Sequence, residues 1–258
     1  MKAIILAAGR GSRLYPYTQY IPKCLLDLGG TTILEKQINH IRDCGINEVV
    51  IVVGFGFEKV ENFLRNYDCL GMKIKTLYNP FYQTTNSLIS LWIARSEMDD
   101  DIVVMNGDDV FEIEVLDKAL SLMDEKVCLP IKKKFSYEDE DMKVITNGDK
   151  VIKISKGITS NISAESVGIR VFRDTGVELI KRAIEEEMRT PGAESKWYIS
   201  SIHRLINKGY NIKALDIEDL YWMDVDYPGD LFKARYDSEK FLNKKYPPRF
   251  LRVVDSTN

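Results

Sequence analysis

The sequence predicts an α/β fold with a doubly wound, mostly parallel sheet, and three observations support this prediction. Strand-like and helix-like segments alternate through the first half of the 258 residues. The segment EVVIVV at Glu48–Val53 is a nearly continuous β-branched run, as a parallel strand buried on both faces requires. The apolar runs at 2–6 and 101–105 lead directly into turns rich in Gly or Asp. This order places helices on both faces of the sheet and ligands at the carboxyl ends of its strands.

The first half is predicted from apolar runs and their periodicity. In the first helix, Ile33, Leu34, Ile38 and Ile41 fall on one face, and Gly45 follows its end. Read in this way, the sequence predicts strands at 2–6, 48–53, 73–78 and 101–105, and helices at 33–44, 57–66 and 87–96.

The second half is less regular, and we predict a small β insertion there within a single domain spanning 1–258. Its middle pair of strands is joined by the turn Asn147-Gly148-Asp149. We divide the domain into halves at 1–126 and 127–221 and a closing segment at 222–258. The predicted elements are strands at 127–133, 143–146, 150–154, 166–172 and 212–216 and helices at 174–189 and 197–208. The segment YWMDVD at 221–226 follows, and then a last helix from Pro228 into the Lys244-Lys245 region.

Composition and charge exclude several classes of protein. The chain is 45% hydrophobic and 29% charged, which is typical of a globular domain. Its net charge of -3 argues against non-specific nucleic-acid binding. The apolar N-terminal run is too short for a signal peptide, and no run reaches the roughly 20 apolar residues of a membrane span. The four cysteines form no CxxC pair, so we expect buried, reduced thiols, no zinc site and a cytoplasmic location.

A glycine-rich loop follows the first strand. Gly9 and Gly11 would let backbone N–H groups approach phosphate oxygens closely, although a glycine pair also suits a simple turn. Leu14 stands where a dinucleotide fingerprint needs its third glycine, which argues against a dehydrogenase, and the chain has no Walker loop. Arg13 adds a guanidinium that suits phosphate binding.

The segment around this loop resembles the signature of a known family. AAGRGSRLYPYTQYIPKCLL is similar, without a gap, to the pattern (L/A)AAGxGxRLxPxTxxxPKxL of the NTP-transferase family, which includes the sugar-1-phosphate and phosphocholine-type nucleotidyltransferases. The resemblance implies a Rossmann-like sheet of the nucleotide-diphospho-sugar transferase type with a small β insertion on the acceptor side. It implies that Arg13 and Lys23 are catalytic and neutralise the triphosphate and the departing pyrophosphate. It also implies nucleotide contacts for Leu6, Ala8, Gly9, Gly11 and Asp108.

Two acidic turns match the GD and DxDxPxD motifs of the same family. They are Asn106-Gly107-Asp108-Asp109, after a strand, and the segment 222–230, in which Tyr227 replaces the usual Thr. Mg²⁺, which accompanies an NTP, prefers one or two carboxylates together with phosphate oxygens. We therefore predict Asp108 and Asp226 as metal ligands and Mg²⁺ as cofactor, with Asp224 as second choice. Asp230 is predicted to cap the last helix; an Asp after a strand is also a common N-cap.

The segment 78–87 resembles the phosphocholine and inositol-1-phosphate cytidylyltransferase branch. It reads YNPFYQTTNS and lacks the Gln-Pro-x-Gly motif of thymidylyl- and uridylyltransferases. The resemblance implies CTP as donor, with Asn86 and Ser87 near the base or ribose. The alternative for these two residues is a helix N-cap pair.

The acceptor side carries the weakest pattern. Lys156 falls where the family places a lysine on the acceptor phosphate, and Glu165 and Trp197 are predicted acceptor contacts by the same resemblance. Trp197, Tyr198 and Trp222 could stack on an acceptor or surround a quaternary ammonium, or they could be core aromatics. The charged run 138–141 is interpreted as a solvated loop.

Together these features predict a Mg²⁺-dependent nucleotidyltransferase that joins a nucleoside monophosphate to a small phosphorylated acceptor, such as phosphocholine, a polyol phosphate or a phosphonate. A phosphate acceptor is already nucleophilic, so no general base is needed, and His40 and His203 are predicted to be structural. The alternatives are a sugar-1-phosphate uridylyl- or guanylyltransferase and a non-catalytic regulatory homologue. Neither a nucleic acid nor a membrane is an expected partner. The apolar tail at 247–254 could pack on a second copy in a homodimer, or fold back on its own chain.

Overall fold

A mixed ten-stranded sheet forms the centre of the protein in a computed structural model that describes residues 1–238 and 240. A separate two-stranded sheet lies beside it. The strands are, in chain order, β1 (Lys2–Ala7), β2 (Glu48–Val53), β3 (Lys73–Tyr78), β4 (Ile102–Asn106), β5 (Asp109–Phe111), β6 (Val127–Lys132), β7 (Lys143–Asn147), β8 (Lys150–Ser155), β9 (Ala164–Ser166), β10 (Ile169–Phe172), β11 (Lys213–Asp216) and β12 (Trp222–Asp224).

The strand order explains how the two halves meet. The large sheet runs β11-β8-β7-β9-β6-β10-β4-β1-β2-β3. Strands β3, β2, β1 and β4 are parallel to their neighbours, while β10 is antiparallel to β4 and continues the sheet into the second half. The small sheet pairs β5 with β12, which places Asp224 opposite Asp109. Residues from the middle and the end of the chain are thereby brought to the carboxyl ends of β1 and β4.

Helices cover both faces of the sheet, which confirms the predicted doubly wound α/β fold. The helices are α1 (Ile33–Asp43), α2 (Phe57–Asn66), α3 (Ser87–Ile93), α4 (Ile113–Ser121), α5 (Thr175–Met188), α6 (Ile199–Asn207) and α7 (Pro228–Asp237). Ile4 and Val104 face one side, where α3, α5 and α6 pack, while Ile5 and Val103 face α1 and α4 on the other. The first helix begins with a capping box between Thr32 and Glu35.

Four local predictions differ from the structure. The predicted strand 166–172 holds the end of β9 and all of β10, with an interruption at 167–168. At Gly168 the backbone passes so close to Asp109 that an added Cβ would lie 1.6 Å from its Oδ2. The helix predicted from Trp197 begins at Ile199. The α-helix predicted over 87–96 ends at Ile93, and a 3₁₀ turn continues the chain. The elements β5 and α4 were not predicted, and β5 is a three-residue strand that needs its distant partner β12.

The last described helix confirms one expectation about the closing segment. Oδ2 of Asp230 accepts hydrogen bonds from the backbone N–H groups of Asp226 (3.0 Å) and Tyr227 (2.7 Å), so this residue caps α7 as predicted. The predicted continuation to Lys244-Lys245 and the tail at 247–254 lie outside the described residues. Within the part of the chain that is described, none of the helices has the length and apolar character to cross a membrane.

Candidate active site

A cavity of about 420 Å³ opens at the carboxyl ends of β1 and β4. It is the place where ligands bind in sheets of this kind. Every site residue predicted from the sequence lines it, although the residues come from widely separated parts of the chain. They are Leu6, Ala8, Gly9, Gly11, Arg13, Lys23, Asn86, Ser87, Asp108, Lys156, Glu165, Trp197 and Asp226.

The glycine-rich loop is held by local contacts that direct Arg13 toward the cavity. Gly11 has a left-handed conformation (φ 65°) and begins a short 3₁₀ turn at Ser12–Leu14. The Thr18 hydroxyl donates to the Gly11 carbonyl oxygen at 2.7 Å. Leu14 is fully buried and anchors the turn in the core beneath the loop. The loop therefore has a fixed shape beside the end of β1.

Lys23 lies at the centre of the polar cluster in this cavity. Its Nζ is 2.6 Å from Oδ2 of Asp108 and 2.5 Å from Oδ1 of Asp226, and Arg13 Nη1 is 3.1 Å from Oδ2 of Asp226. Burial works against the charge on Lys23, but the two carboxylates outweigh it and raise the pKa of the ammonium. Burial also disfavours ionised Asp226, yet Lys23 and Arg13 lower the pKa of that carboxyl. Lys23 and Asp226 are therefore both charged at neutral pH.

The same two carboxylates have the donor chemistry that Mg²⁺ takes. Oxygens of Asp108 and Asp226 already converge on one cationic atom, the Nζ of Lys23. Among residues 1–238 and 240, no group of three or more His, Cys, Asp or Glu is arranged to hold a metal. Mg²⁺ is commonly bound by one or two carboxylates together with substrate phosphates. Partial desolvation and the charges of Asp108 and Asp226 raise the pKa of nearby Asp224 to about 6.

The charged run 138–141 lies in a loop whose residues 138–140 are exposed, as interpreted from the sequence, but Glu140 also makes contacts inside the candidate site. Its Oε2 accepts hydrogen bonds from Arg13 Nη2 and from Lys156 Nζ, both at 2.9 Å. The next residue, Asp141, is buried and accepts from the Lys134 ammonium at 3.0 Å. Lys134 and Lys156 lie 7 and 16 residues from their partners in this loop, but Arg13 is 127 residues away from Glu140, which a local charge pattern cannot show. Glu140 thus links Arg13, which is predicted to bind the triphosphate, to Lys156, which is predicted to bind the acceptor phosphate.

Two acceptor-side residues differ sharply in their surroundings. Trp197 is 47% exposed, and the Lys156 ammonium lies 4.8 Å from the centre of its ring. Glu165 is buried, with its Oε2 2.6 Å from Lys134 Nζ. Burial raises the pKa of Glu165 to about 7, and the ion pair with Lys134 limits this rise. The exposed aromatic ring lies at the rim of the cavity, and the carboxyl group lies in its wall.

Asn86 and Ser87 connect the two halves of the cavity. Asn86 occupies the N-cap position of α3, but its side chain makes no capping hydrogen bond. Its amide donates instead to the Ser195 carbonyl oxygen at 2.7 Å, and the Ser87 hydroxyl accepts from the backbone N–H of Tyr198 at 3.1 Å. The alternative of a simple N-cap pair therefore does not describe these side chains.

Sequence reasoning missed two buried ionisable residues in this cavity. Asp109 is 1% exposed and Arg170 is 2% exposed, and both line the wall. The available signal for the second was an arginine inside the otherwise apolar segment VGIRVF. By contrast, His40 lies outside the cavity against the Phe111 ring, where burial and the charge of Lys36 lower its pKa to about 3. That histidine is structural, as predicted.

A comparison with known protein families gives a match over more than half of the chain. The sequence profile of the MobA-like NTP transferase domain matches residues 3–158, which include the glycine-rich loop, Lys23, Asp108 and Lys156. The chain belongs to this family. The resemblance found in the glycine-rich segment is thereby confirmed.

Several relatives of this NTP transferase are similar over nearly all of the chain. A CMP-5'-(3-aminopropyl)phosphonate synthase from Streptomyces rubellomurinus is 30% identical over 243 residues, which are 92% of this chain and 38% of that protein. A CTP:phosphoglutamine cytidylyltransferase from Campylobacter jejuni is 28% identical over 255 residues, covering 90% of this chain and 98% of that one. A choline-phosphate cytidylyltransferase from Haemophilus influenzae is 28% identical and covers 93% and 100%. The chain thus spans less than half of the first relative and almost all of the other two.

Solved structures show the same fold. The inositol-1-phosphate CTP transferase from T. maritima superimposes with a TM-score of 0.80 at 20% identity, covering 95% of this chain and 97% of that one. A CTP:phosphocholine cytidylyltransferase from Streptococcus pneumoniae gives a TM-score of 0.73 at 21% identity, covering 91% and 97%. The predicted nucleotide-diphospho-sugar transferase fold is confirmed.

Proposed function

We propose that this NTP transferase is a Mg²⁺-dependent cytidylyltransferase that transfers CMP from CTP to a small phosphorylated acceptor and releases pyrophosphate. The observation that carries the proposal is the convergence of Lys23, Asp108 and Asp226 in one cavity beside the glycine-rich loop. Two carboxylates for a metal and two cations for a triphosphate are the parts that nucleotidyl transfer requires.

The donor side acts through electrostatics. Asp108 and Asp226 would hold Mg²⁺, which when bound supplies Lewis-acid stabilisation of charge on the phosphate oxygens. Lys23 and Arg13 then exchange their carboxylate partners for the oxygens of the triphosphate. The glycine-rich loop offers backbone N–H groups to the same oxygens. These groups stabilise the negative charge that develops on the departing pyrophosphate.

The acceptor side positions a nucleophile. Lys156 binds the acceptor phosphate and holds one of its oxygens in line with the α-phosphorus of CTP. A bond forms between that oxygen and the α-phosphorus while the bond from the α-phosphorus to the bridging oxygen of the β-phosphate breaks. The electron pair leaves with pyrophosphate. Because the acceptor phosphate is ionised at neutral pH, no residue has to remove a proton.

The choice of CTP rests on similarity. Residues 78–87 resemble the cytidylyltransferase branch, and the relatives from C. jejuni and H. influenzae carry names that specify cytidylyl transfer. In this protein, Asn86 and Ser87 line the cavity at the junction of its two halves. A sugar-1-phosphate uridylyl- or guanylyltransferase has the same catalytic parts and is the alternative. We also propose a cytoplasmic location, supported by the buried thiols of Cys24, Cys44 and Cys128.

A pyrophosphate-release assay tests this function. CTP, UTP, GTP and ATP are each offered with Mg²⁺ and a panel of phosphocholine, polyol phosphates, sugar 1-phosphates and phosphonates. We expect release with CTP, and its loss in Asp108→Asn. Arg95→Met is the matched control, because Arg95 stacks on Trp92 at 3.9 Å outside the cavity. A clear preference for UTP or GTP would contradict CTP as the donor. The absence of pyrophosphate release with all four NTPs would contradict the proposed nucleotidyltransferase activity.

A further inference from the structure

Arg170 is a buried cation that the proposed reaction does not use. It lies on β10 and its side chain is 2% exposed, yet it lines the cavity. Its Nη2 donates to the Ser166 hydroxyl at 2.7 Å, and its guanidinium lies 5.2 Å from the centre of the Tyr198 ring. These contacts fix the side chain in one position on the acceptor half of the site.

Two nitrogen atoms of the guanidinium have no hydrogen-bond partner. They are Nε and Nη1, within residues 1–238 and 240, although the Tyr198 side chain also interacts with the group. Asp109 is close enough for the charges to interact, but it makes no hydrogen bond to Arg170. Buried N–H groups without a hydrogen-bond partner are unfavourable, so an arginine that lines a cavity is suited to an anion from the ligand.

Arg170 contacts other residues than the groups that are proposed to bind phosphates. Arg13 and Lys23 lie beside the glycine-rich loop, and Lys156 lies near Trp197 at the rim. Arg170 instead lies in the wall between Ser166 and Tyr198. Three cations are therefore available for the triphosphate and the acceptor phosphate, and a fourth is placed for another part of the acceptor.

We propose that Arg170 binds a carboxylate of the acceptor, so that the preferred acceptor is a phosphorylated carboxylic acid. This inference rests on the proposed function and makes its acceptor more specific. Arginine matches a planar carboxylate through parallel N–H···O bonds, and such charge-assisted bonds are about twice as strong as neutral ones. A hydroxyl of the acceptor would offer these N–H groups only an uncharged acceptor, and an ammonium would be repelled by the guanidinium.

Matched acceptor pairs test the proposal. O-phosphoserine and phosphoethanolamine differ only in the carboxylate. In the second pair, the carboxylate of 3-phosphoglycerate takes the place of the CH₂OH group of glycerol 3-phosphate. Pyrophosphate release from CTP is measured for each compound with the wild-type protein, Arg170→Met, Arg170→Lys and the control Arg95→Met. The melting temperature of each variant is measured in parallel.

We expect the wild-type kcat/KM for the carboxylated member of each pair to be at least about tenfold higher than for its partner. Arg170→Met abolishes this preference without changing the KM for CTP, Arg170→Lys retains part of it, and the control retains all of it. Equal use of both members by the wild-type protein, or a preference that Arg170→Met retains, would overturn the proposal. If Arg170→Met does not fold, the wild-type ratio and Arg170→Lys still decide.

Calorimetric binding of the same four compounds separates this proposal from the proposed function. If no acceptor supports pyrophosphate release, the cytidylyltransferase assignment fails. A carboxylate preference in binding that Arg170→Met removes would still support the role of Arg170, and equal binding of both members of each pair would contradict it.

Discussion

The Nζ atom of Lys23 lies 2.5 Å from Oδ1 of Asp226, although 203 residues separate them in the chain. Oδ2 of Asp108 lies 2.6 Å from the same nitrogen. The ammonium therefore occupies the point on which both proposed metal-binding carboxylates converge. Binding of Mg²⁺ and an NTP at this point requires Lys23 to leave the carboxylates, and the phosphates offer it new partners.

Lys23 is proposed to stabilise the transition state, and in the absence of ligands its ammonium occupies the proposed metal position. Replacement of Lys23 by methionine tests these two properties separately. We expect kcat to fall about 10²–10³-fold, the loss typical for removal of one preorganised charge at a transition state. Without the ammonium, Asp108 and Asp226 repel each other, so Mg²⁺ alone should raise the melting temperature of Lys23→Met more than that of the wild-type protein. Lys75→Met is the control, because Lys75 pairs with Glu97 away from the cavity. An unchanged response to Mg²⁺ would contradict the position that we assign to the metal.

In the proposed mechanism, Glu140 competes with the substrate phosphates for the cations of Arg13 and Lys156. One of its oxygens lies 2.9 Å from both Arg13 Nη2 and Lys156 Nζ, where substrate phosphates are proposed to bind. Exposed ion pairs are worth little, so Glu140→Gln should lower the KM for CTP and for the acceptor only about two- to fivefold. Glu138→Gln is the control within the same loop. Initial-rate kinetics at low ionic strength measure the effect, and a rise in either KM would show that Glu140 assists binding.

Glu165 makes the stability depend on pH. Burial raises its pKa to about 7 in the folded protein, above the roughly 4.3 of an unfolded chain. The folded state therefore binds this proton more tightly, and the free energy of unfolding decreases by about 2–4 kcal/mol as pH rises from 4 to 8. Glu165→Gln should remove this dependence, so it stabilises the protein relative to wild type at pH 8 but not at pH 4.5. Urea denaturation at both values measures it, and equal effects at the two values would contradict the burial argument.

Gly168 is required by the carboxylate beside it. A Cβ at this position would lie 1.6 Å from Oδ2 of Asp109. We expect Gly168→Ala to destabilise the protein by about 1–3 kcal/mol through overpacking, and Asp109→Ala to restore part of that loss in the double variant. Gly229→Ala is the control, because no atom lies within 4 Å of a Cβ built there. Denaturation of the four proteins measures the coupling, and strict additivity would show that the two residues do not clash.

Much of the nucleotide-binding half could be predicted because its signals are local. The β-branched run of β2 and the periodicity of α1 indicate buried elements directly, and the strand-to-loop junction after β1 locates the cavity. The strand β5 could not be predicted, because its three residues depend on pairing with β12 more than a hundred residues later.

The same distinction applies to the candidate site. Arg13, Lys23 and Asp108 belong to contiguous motifs, and the structure brings them together in one cavity. The contact of Glu140 with Arg13 could not be predicted, because 127 residues separate the two in the chain. Arg170 was missed because the sequence does not show which residues surround an arginine on a buried strand, and therefore does not show whether it faces a cavity. Long-range contacts, which a single sequence does not encode as a pattern, account for both.

The most direct test of the central claim follows the α-phosphorus of CTP. The protein is incubated with Mg²⁺, CTP labelled at the α-phosphate and a panel of phosphorylated acceptors that includes phosphorylated carboxylic acids. We predict that the label appears in a CMP–acceptor product with one pyrophosphate released per product, and that EDTA or Asp226→Asn abolishes the transfer. Absence of labelled product with every acceptor, or unchanged transfer in EDTA, would contradict Mg²⁺-dependent cytidylyl transfer at this site.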